Sequence, residues 1–146
     1  MKALTLWRPW PWAIFHARTP KRIENRPWKP WRSVIGQRIA LHAGTTMDLD
    51  SVPSLLEAGG CADAPSCIAK GKAMTAEGII GVVTVRGYIA TEMEAAALGQ
   101  ERWWSGPFAW VLDDVVALKE AIPCAGMQGL WDLPPAVEAE LRGRLG

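Results

Sequence analysis

Short runs of alternating apolar and polar residues, most of them closed by proline or glycine, make up most of the chain. Lys2 to Trp7, KALTLW, alternates as a short strand. Pro9 and Pro11 can only open the helix that WPWAIFHA then suggests, because proline is tolerated in a first turn and not inside a helix. That helix should stop near Thr19 and Pro20. Lys21 to Trp28, KRIENRPW, alternates again, with Lys21, Ile23 and Asn25 on one face and Arg22, Glu24 and Arg26 on the other. Pro27 and Pro30 then end its pairing. Gln37 to His42 reads as the next strand, and a short helix around Ser54 to Ala58 is ended by Gly59 and Gly60.

The segment 60–77 is rich in Ala, Gly and Ser without a period and reads as a long flexible loop. Gly78 to Ala90, GIIGVVTVRGYIA, is the strongest strand signal and should lie mid-sheet, with Gly81 and Gly87 as bulges. Thr91 and Glu94 form a capping box ahead of EMEAAAL, which Gly99 stops. Gly106 and Pro107 turn the chain into a strand from Phe108 to Leu118. A last short strand falls within Ile122 to Leu133, and Pro134 and Pro135 start a C-terminal helix over 134–146. Five or six strands with glycine bends and short flanking helices predict an α+β chain built as a small, partly open β-barrel.

Composition narrows the reading. The 146 residues, 49% of them hydrophobic, suit one domain that buries roughly two-thirds of its unfolded surface. No apolar run approaches the roughly 20 residues of a membrane span, and Arg8 and Pro9 interrupt MKALTLWRPW before a signal-peptide core could form. A cytoplasmic location with no membrane partner is expected. Cys61, Cys67 and Cys124 are odd in number and unpaired in spacing, which implies neither a disulfide framework nor a zinc site. His42 with Cys61 and Cys67 would make an irregular ligand set. No metal and no other cofactor is expected.

The net charge of +1 hides a lopsided distribution. Through His42 the chain holds nine basic residues and one acidic residue, Glu24, a balance of +8; the remainder is −7. Five of the nine tryptophans, Trp7, Trp10, Trp12, Trp28 and Trp31, lie in that basic segment. Cations for phosphates and aromatic faces for unstacked bases are what nucleic acid requires. The same residues also suit a small core with arginines stacked on its indoles.

Several motifs occur in a fixed order: RPW at Arg8, Pro9 and Trp10, then Trp12 and Ala13, then KxxExRxW at Lys21, Glu24, Arg26 and Trp28. His42 and Ala43 close a strand, GxVxV follows, then Gly106, Pro107 and Trp110, and finally Gly129 and Trp131. Together they resemble the ASCH domain family of the PUA-like superfamily, over roughly residues 3–43 and 78–131. The resemblance implies a single ASCH-like domain over 1–146, with a cleft that binds RNA or another nucleic acid and with Lys21, Glu24 and Arg26 at its mouth. Relatives of this architecture include readers of modified bases, an amidohydrolase of N4-acetylcytidine and members reported to cleave RNA. The family's glycine-containing turn before the lysine is Thr19 and Pro20 here, and the amidohydrolases' threonine nucleophile is replaced by Glu24.

Read from the residues, Glu24 and Arg26 project together on a strand and can pair, leaving arginine donors for phosphate. Lys21 faces away unless an irregularity near Thr19 and Pro20 re-aims it. Arg8, Trp10 and Trp28 add charge and stacking surface, and Lys21 and Arg26 are expected as exposed charges on a cleft wall. His42 is a candidate base contact or general acid, or equally a capped core histidine, and Ser105 and Gln128, each beside a glycine and near a tryptophan, are candidate readers of a base edge. Two functional classes stay open. One is a binding module for single-stranded RNA or a modified nucleotide. The other is a hydrolase of an RNA backbone or an acylated cytidine, with Lys21 and Glu24 moving protons; no Ser, Thr or Cys stands in a recognisable nucleophile motif.

Overall fold

A computed structural model describes residues 1–48, 50 and 77–146. The helix expected at Ser54 to Ala58, the expected loop apart from Glu77, and Cys61 and Cys67 lie outside them. The described elements run β1 (Lys2–Arg8), α1 (Trp10–Phe15), β2 (Ile23–Arg26), β3 (Arg38–Met47), β4 (Gly78–Ile89), α2 (Glu92–Ala97), β5 (Phe108–Ile122), β6 (Leu130–Asp132) and α3 (Pro135–Leu145). Single 3₁₀ turns occur at Arg32–Val34 and Glu101–Trp103.

The six strands form one curled sheet in the order β2-β5-β4-β3-β1-β6. Gly78–Ile89 is central, as its apolar run predicts, and its pairing with β5 shifts register before Gly81, before Thr84 and before Gly87. These shifts bend the sheet toward a half-barrel. At Gly81 a side chain would have no room, because a Cβ would come 2.5 Å from the Phe15 ring and from Val116 O. β1 pairs with β3 in parallel, Ala3 opposite Ala40 through Leu6 opposite Ala43. The remaining pairings are antiparallel.

Strand alternation sorts the side chains into two faces. Leu4, Leu6, Ile39, Leu41, Val83, Val85, Trp110 and Leu112 fill the concave interior. Ala3, Ala40, Ile79, Val82, Ile122 and Trp131 face the opposite way and are covered by Leu141 of α3. A third cluster packs Trp12 and Ala13 of α1 against Ile23, Ala109 and Trp103. The capping box is present: Thr91 Oγ1 accepts from Glu94 N at 3.1 Å, and Glu94 Oε1 accepts from Ala90 N at 3.1 Å. Among the described residues no helix is long and apolar enough to cross a membrane.

The tryptophans divide three ways. Trp12, Trp103, Trp110 and Trp131 are core, Trp10, Trp28 and Trp104 are half-buried, and Trp7 and Trp31 are exposed. Much of the aromatic and basic clustering is internal pairing, with Lys2 over Trp31, Lys21 over Trp10, Arg26 over Trp28, and Lys29 between Tyr88 and Phe108.

Candidate functional site

The KxxExR segment is only partly a strand. Pairing begins at Ile23, opposite Val111, and ends at Arg26, opposite Phe108, with β2 at the edge of the sheet. Residues 20–22 are held by side chains, by α1 and by one backbone bond from β5, Leu112 N to Arg22 O at 2.9 Å. Lys21 N donates to Ala13 O at 2.9 Å, Gln100 Oε1 accepts from Arg22 N at 2.6 Å, and Gln100 Nε2 donates to Pro20 O at 3.2 Å. Gln100 is buried and gives no signal in the sequence, because a lone glutamine after a helix has no characteristic pattern.

That irregular entry frees Lys21 from strand parity. Its side chain turns under the strand, and Nζ donates to Glu24 Oε1 at 2.7 Å and Ile23 O at 2.5 Å while lying 5.3 Å from the Trp10 ring centre. Lys21 is therefore not an exposed charge on a cleft wall, as the alternation suggested. Its side chain is 2% exposed, and that of Glu24 is 10% exposed. Two of the three ammonium N–H groups are taken by oxygens, and the indole is the nearest described aromatic face. The lysine holds one carboxylate oxygen in place.

Glu24 lies opposite Trp110 and so faces the concave interior. Two residues on, Arg26 shares that face, with Nη1 3.9 Å from Glu24 Oε2 and its guanidinium 5.4 Å from the Trp28 ring. Trp28 stands edge-on to Trp110 at 5.2 Å and accepts the Trp110 Nε1–H at its carbonyl, 3.0 Å away. Arg8, at the end of β1, donates from Nη2 to Thr45 O at 2.9 Å. The Nε–H groups of Arg8 and Arg26 are both buried and find no partner among the described residues.

Asn25, on the opposite face of β2, was not among the expected site residues. Its Nδ2 donates to Trp103 O at 2.8 Å, and its Oδ1 accepts from Ser105 N at 3.0 Å and Gly106 N at 3.1 Å. Its place between Glu24 and Arg26 in a period of two was the available signal. These bonds shape a cavity of about 180 Å³ walled by Trp10, Trp103, Trp104, Asp48, Asn25 and Ser105. Trp10 and Trp103 meet there at 84° with ring centres 6.1 Å apart, and Trp10 Nε1 donates to Asp48 Oδ2 at 2.8 Å. Trp10 thus belongs both to this cavity and to the Lys21 contact.

Of the expected residues, Lys21, Glu24, Arg26, Trp10 and Trp28 come together; Ser105 lines the cavity on the opposite, Asn25, face of β2, and Arg8 is tied to Thr45. His42 and Gln128 do not join the cluster. His42 lies on the face of Ala40 and Trp131, its ring edge-on to Trp131 at 5.7 Å, and lines a separate groove with Gln128. Among the described residues no group of three or more His, Cys, Asp or Glu side chains is placed to hold a metal ion.

No protein-family model matches the sequence, and no curated protein matches it. Solved structures of the ASCH protein from Zymomonas mobilis do match in three dimensions. That protein aligns with a TM-score of 0.55 at 15% identity, over 97% of this chain and 93% of its own. Two of its mutants align at TM-scores of 0.57 and 0.54 with 15% and 14% identity, again over 97% of this chain and over 96% and 94% of theirs. The six-stranded curled half-barrel with its short helices accordingly has the fold of these ASCH structures.

Proposed function

We propose that the chain binds single-stranded RNA at the mouth of the half-barrel, gripping one unstacked or modified nucleotide. The observation that carries this reading is the pair of buried Nε–H groups without a partner among the described residues, on Arg8 and on Arg26, the latter over half-buried Trp28. An unpaired buried donor costs about 1–3 kcal/mol, and a charged acceptor recovers most of that. A phosphodiester offers acceptors only, so it suits two guanidinium groups, one held by the Thr45 carbonyl and the other beside an ion-paired Glu24 and the Trp28 indole. The +8 balance of the first 42 residues supplies the long-range attraction. The cavity walled by Trp10, Trp103 and Trp104 has room for about one base, being smaller than the roughly 300–1,000 Å³ of drug-sized sites.

Fluorescence anisotropy with labelled single-stranded RNA, titrated with salt, tests the reading. Two phosphate contacts predict a slope near −1.4 for log K against log salt on a single strand. Arg26→Gln and Arg8→Gln should each weaken binding and flatten that slope. Absent binding, or binding indifferent to salt, overturns the proposal. Product analysis of the same mixtures addresses the hydrolytic alternative, in which Glu24, fixed by Lys21, activates water. Shortened RNA, abolished by Glu24→Gln, would move the chain into the enzyme class.

A further inference from the structure

β1 ends in two neighbours that point to opposite faces. Arg8 turns toward the mouth, where it is tied to Thr45 O; Trp7 turns outward and is 58% exposed. Trp7 forms one wall of a second groove of about 360 Å³, together with Thr5, His42, Thr45, Met127 and Gln128. Its volume is within the range of small-molecule sites. Thr45 therefore stands at the border of the two regions, lining the groove with its own atoms and holding Arg8 through its carbonyl.

The groove is built around a buried polar group. His42 is 1% exposed, and its Nε2 must donate to Cys124 O, 2.7 Å away, because a carbonyl only accepts. In the neutral ring Nδ1 is then the acceptor, and it has no partner among the described residues. Trp131 fixes the ring edge-on and also donates from Nε1 to Thr5 Oγ1 at 3.1 Å, which leaves the threonine hydroxyl proton available. Gly126 closes over this corner with bare backbone. A Cβ there would come 2.6 Å from His42 Cε1, 2.7 Å from Nδ1 and 2.8 Å from Thr5 Oγ1. An exposed indole face, the exposed Thr45 and Thr46 and the exposed amide of Gln128 are together the requirements for holding a base by stacking and by its edge.

We infer that this groove is a second nucleotide subsite, taking the base next to the one held at the mouth, with the intervening phosphodiester on Arg8. The inference rests on the RNA-binding reading above and deepens it, since it makes the ligand a strand of two or more nucleotides. The second base lies on Trp7 and presents its edge to Gln128.

The experiment compares a nucleoside 5′-monophosphate with a tetranucleotide RNA, by calorimetry, on the wild type, Trp7→Ala and Gln128→Ala. Trp7→Ala should weaken the tetranucleotide roughly tenfold, the loss of one stacked base, and leave the monophosphate unchanged. Gln128→Ala, at an exposed loop position, should act in the same direction with a smaller effect, and it serves if the tryptophan variant is poorly folded. Equal losses on both ligands, or no loss on the tetranucleotide, would overturn the second subsite while leaving the first intact. Failure of the wild type to bind either ligand would overturn both.

Discussion

Replacing Lys21 by methionine separates a buried ion pair from a surface one. The side chains of Lys21 and Glu24 are 2% and 10% exposed and 2.7 Å apart, and the other cation near Glu24 is Arg26 at 3.9 Å. Removing one partner of a buried pair costs about 3–5 kcal/mol, because the remaining charge stays desolvated. Arg26 can close part of the gap, so the lower end applies. Lys21→Met should cost about 3 kcal/mol and lower the Tm by about 10 °C in a chain of this size. The companion variant Lys21→Met with Glu24→Leu removes both charges, and exchange of a buried pair for apolar groups is often neutral or better. Its stability should return to within about 1 kcal/mol of the wild type. Urea denaturation followed by tryptophan fluorescence supplies the midpoints, with an unchanged m-value as the control that only stability has moved. A single variant as stable as the wild type, or a double variant no better than the single, would refute the buried-pair reasoning.

Trp110→Ala empties the concave core beside Trp28 and should cost about 3–5 kcal/mol by the same urea assay. Asn25→Ala removes three hydrogen bonds to the Trp103–Gly106 segment, each worth about 1 kcal/mol net, and should lower RNA affinity as well as the Tm, since Trp104 and Ser105 lose their anchor. Burial pushes the Cys124 thiol above its ordinary value, so its thiolate fraction is reduced at neutral pH. Peptide-resolved mass spectrometry should find Cys124 alkylated more slowly at pH 8 than an unfolded control, the gap narrowing as pH rises. Turnover of N4-acetylcytidine should be negligible, because a Glu24 nucleophile would form a mixed anhydride and Lys21 is committed to Ile23 O and Glu24. Multiple-turnover release of cytidine, lost in Glu24→Gln, would contradict this.

Most strands were legible because alternation closed by proline or glycine is a local signal; Gly78–Ile89 and the Thr91 cap stand where the pattern places them. The parallel pairing of β1 with β3 was not, since neither strand carries a mark of its partner's direction. The common face of Glu24 and Arg26 follows from a period of two. Lys21 escaped that rule because its backbone is tied to Ala13 and its neighbours to Gln100, 78 to 80 residues away in sequence, and no local pattern reports such contacts. His42 is a different case. The predicted strand placed it in phase with Ala40 rather than Leu41, but which of those faces Glu24 shares depends on the register through β4 and β5, which the sequence does not carry.

The placement of β2 explains why one short strand can serve two surfaces. An edge strand exposes a row of unpaired backbone groups and invites pairing with another chain, a hazard blunted by proline, charge and short length. β2 is four residues long and is followed at once by Pro27, with Pro30 close behind. Its charged residues are turned inward, Glu24 toward Trp110 and Arg26 toward Trp28, where they also make the strand a poor template. The features that protect the edge therefore coincide with the features that could hold an anion. On the other face Asn25 spends its side chain on the Trp103–Gly106 segment, so the aromatic cavity is braced by the same edge. A buried strand in mid-sheet could not do this, because both of its faces would be committed to core packing, as they are for Val82 and Val83 in β4. The candidate site uses β2, one of the two strands, with β6, that the sheet leaves with a single neighbour.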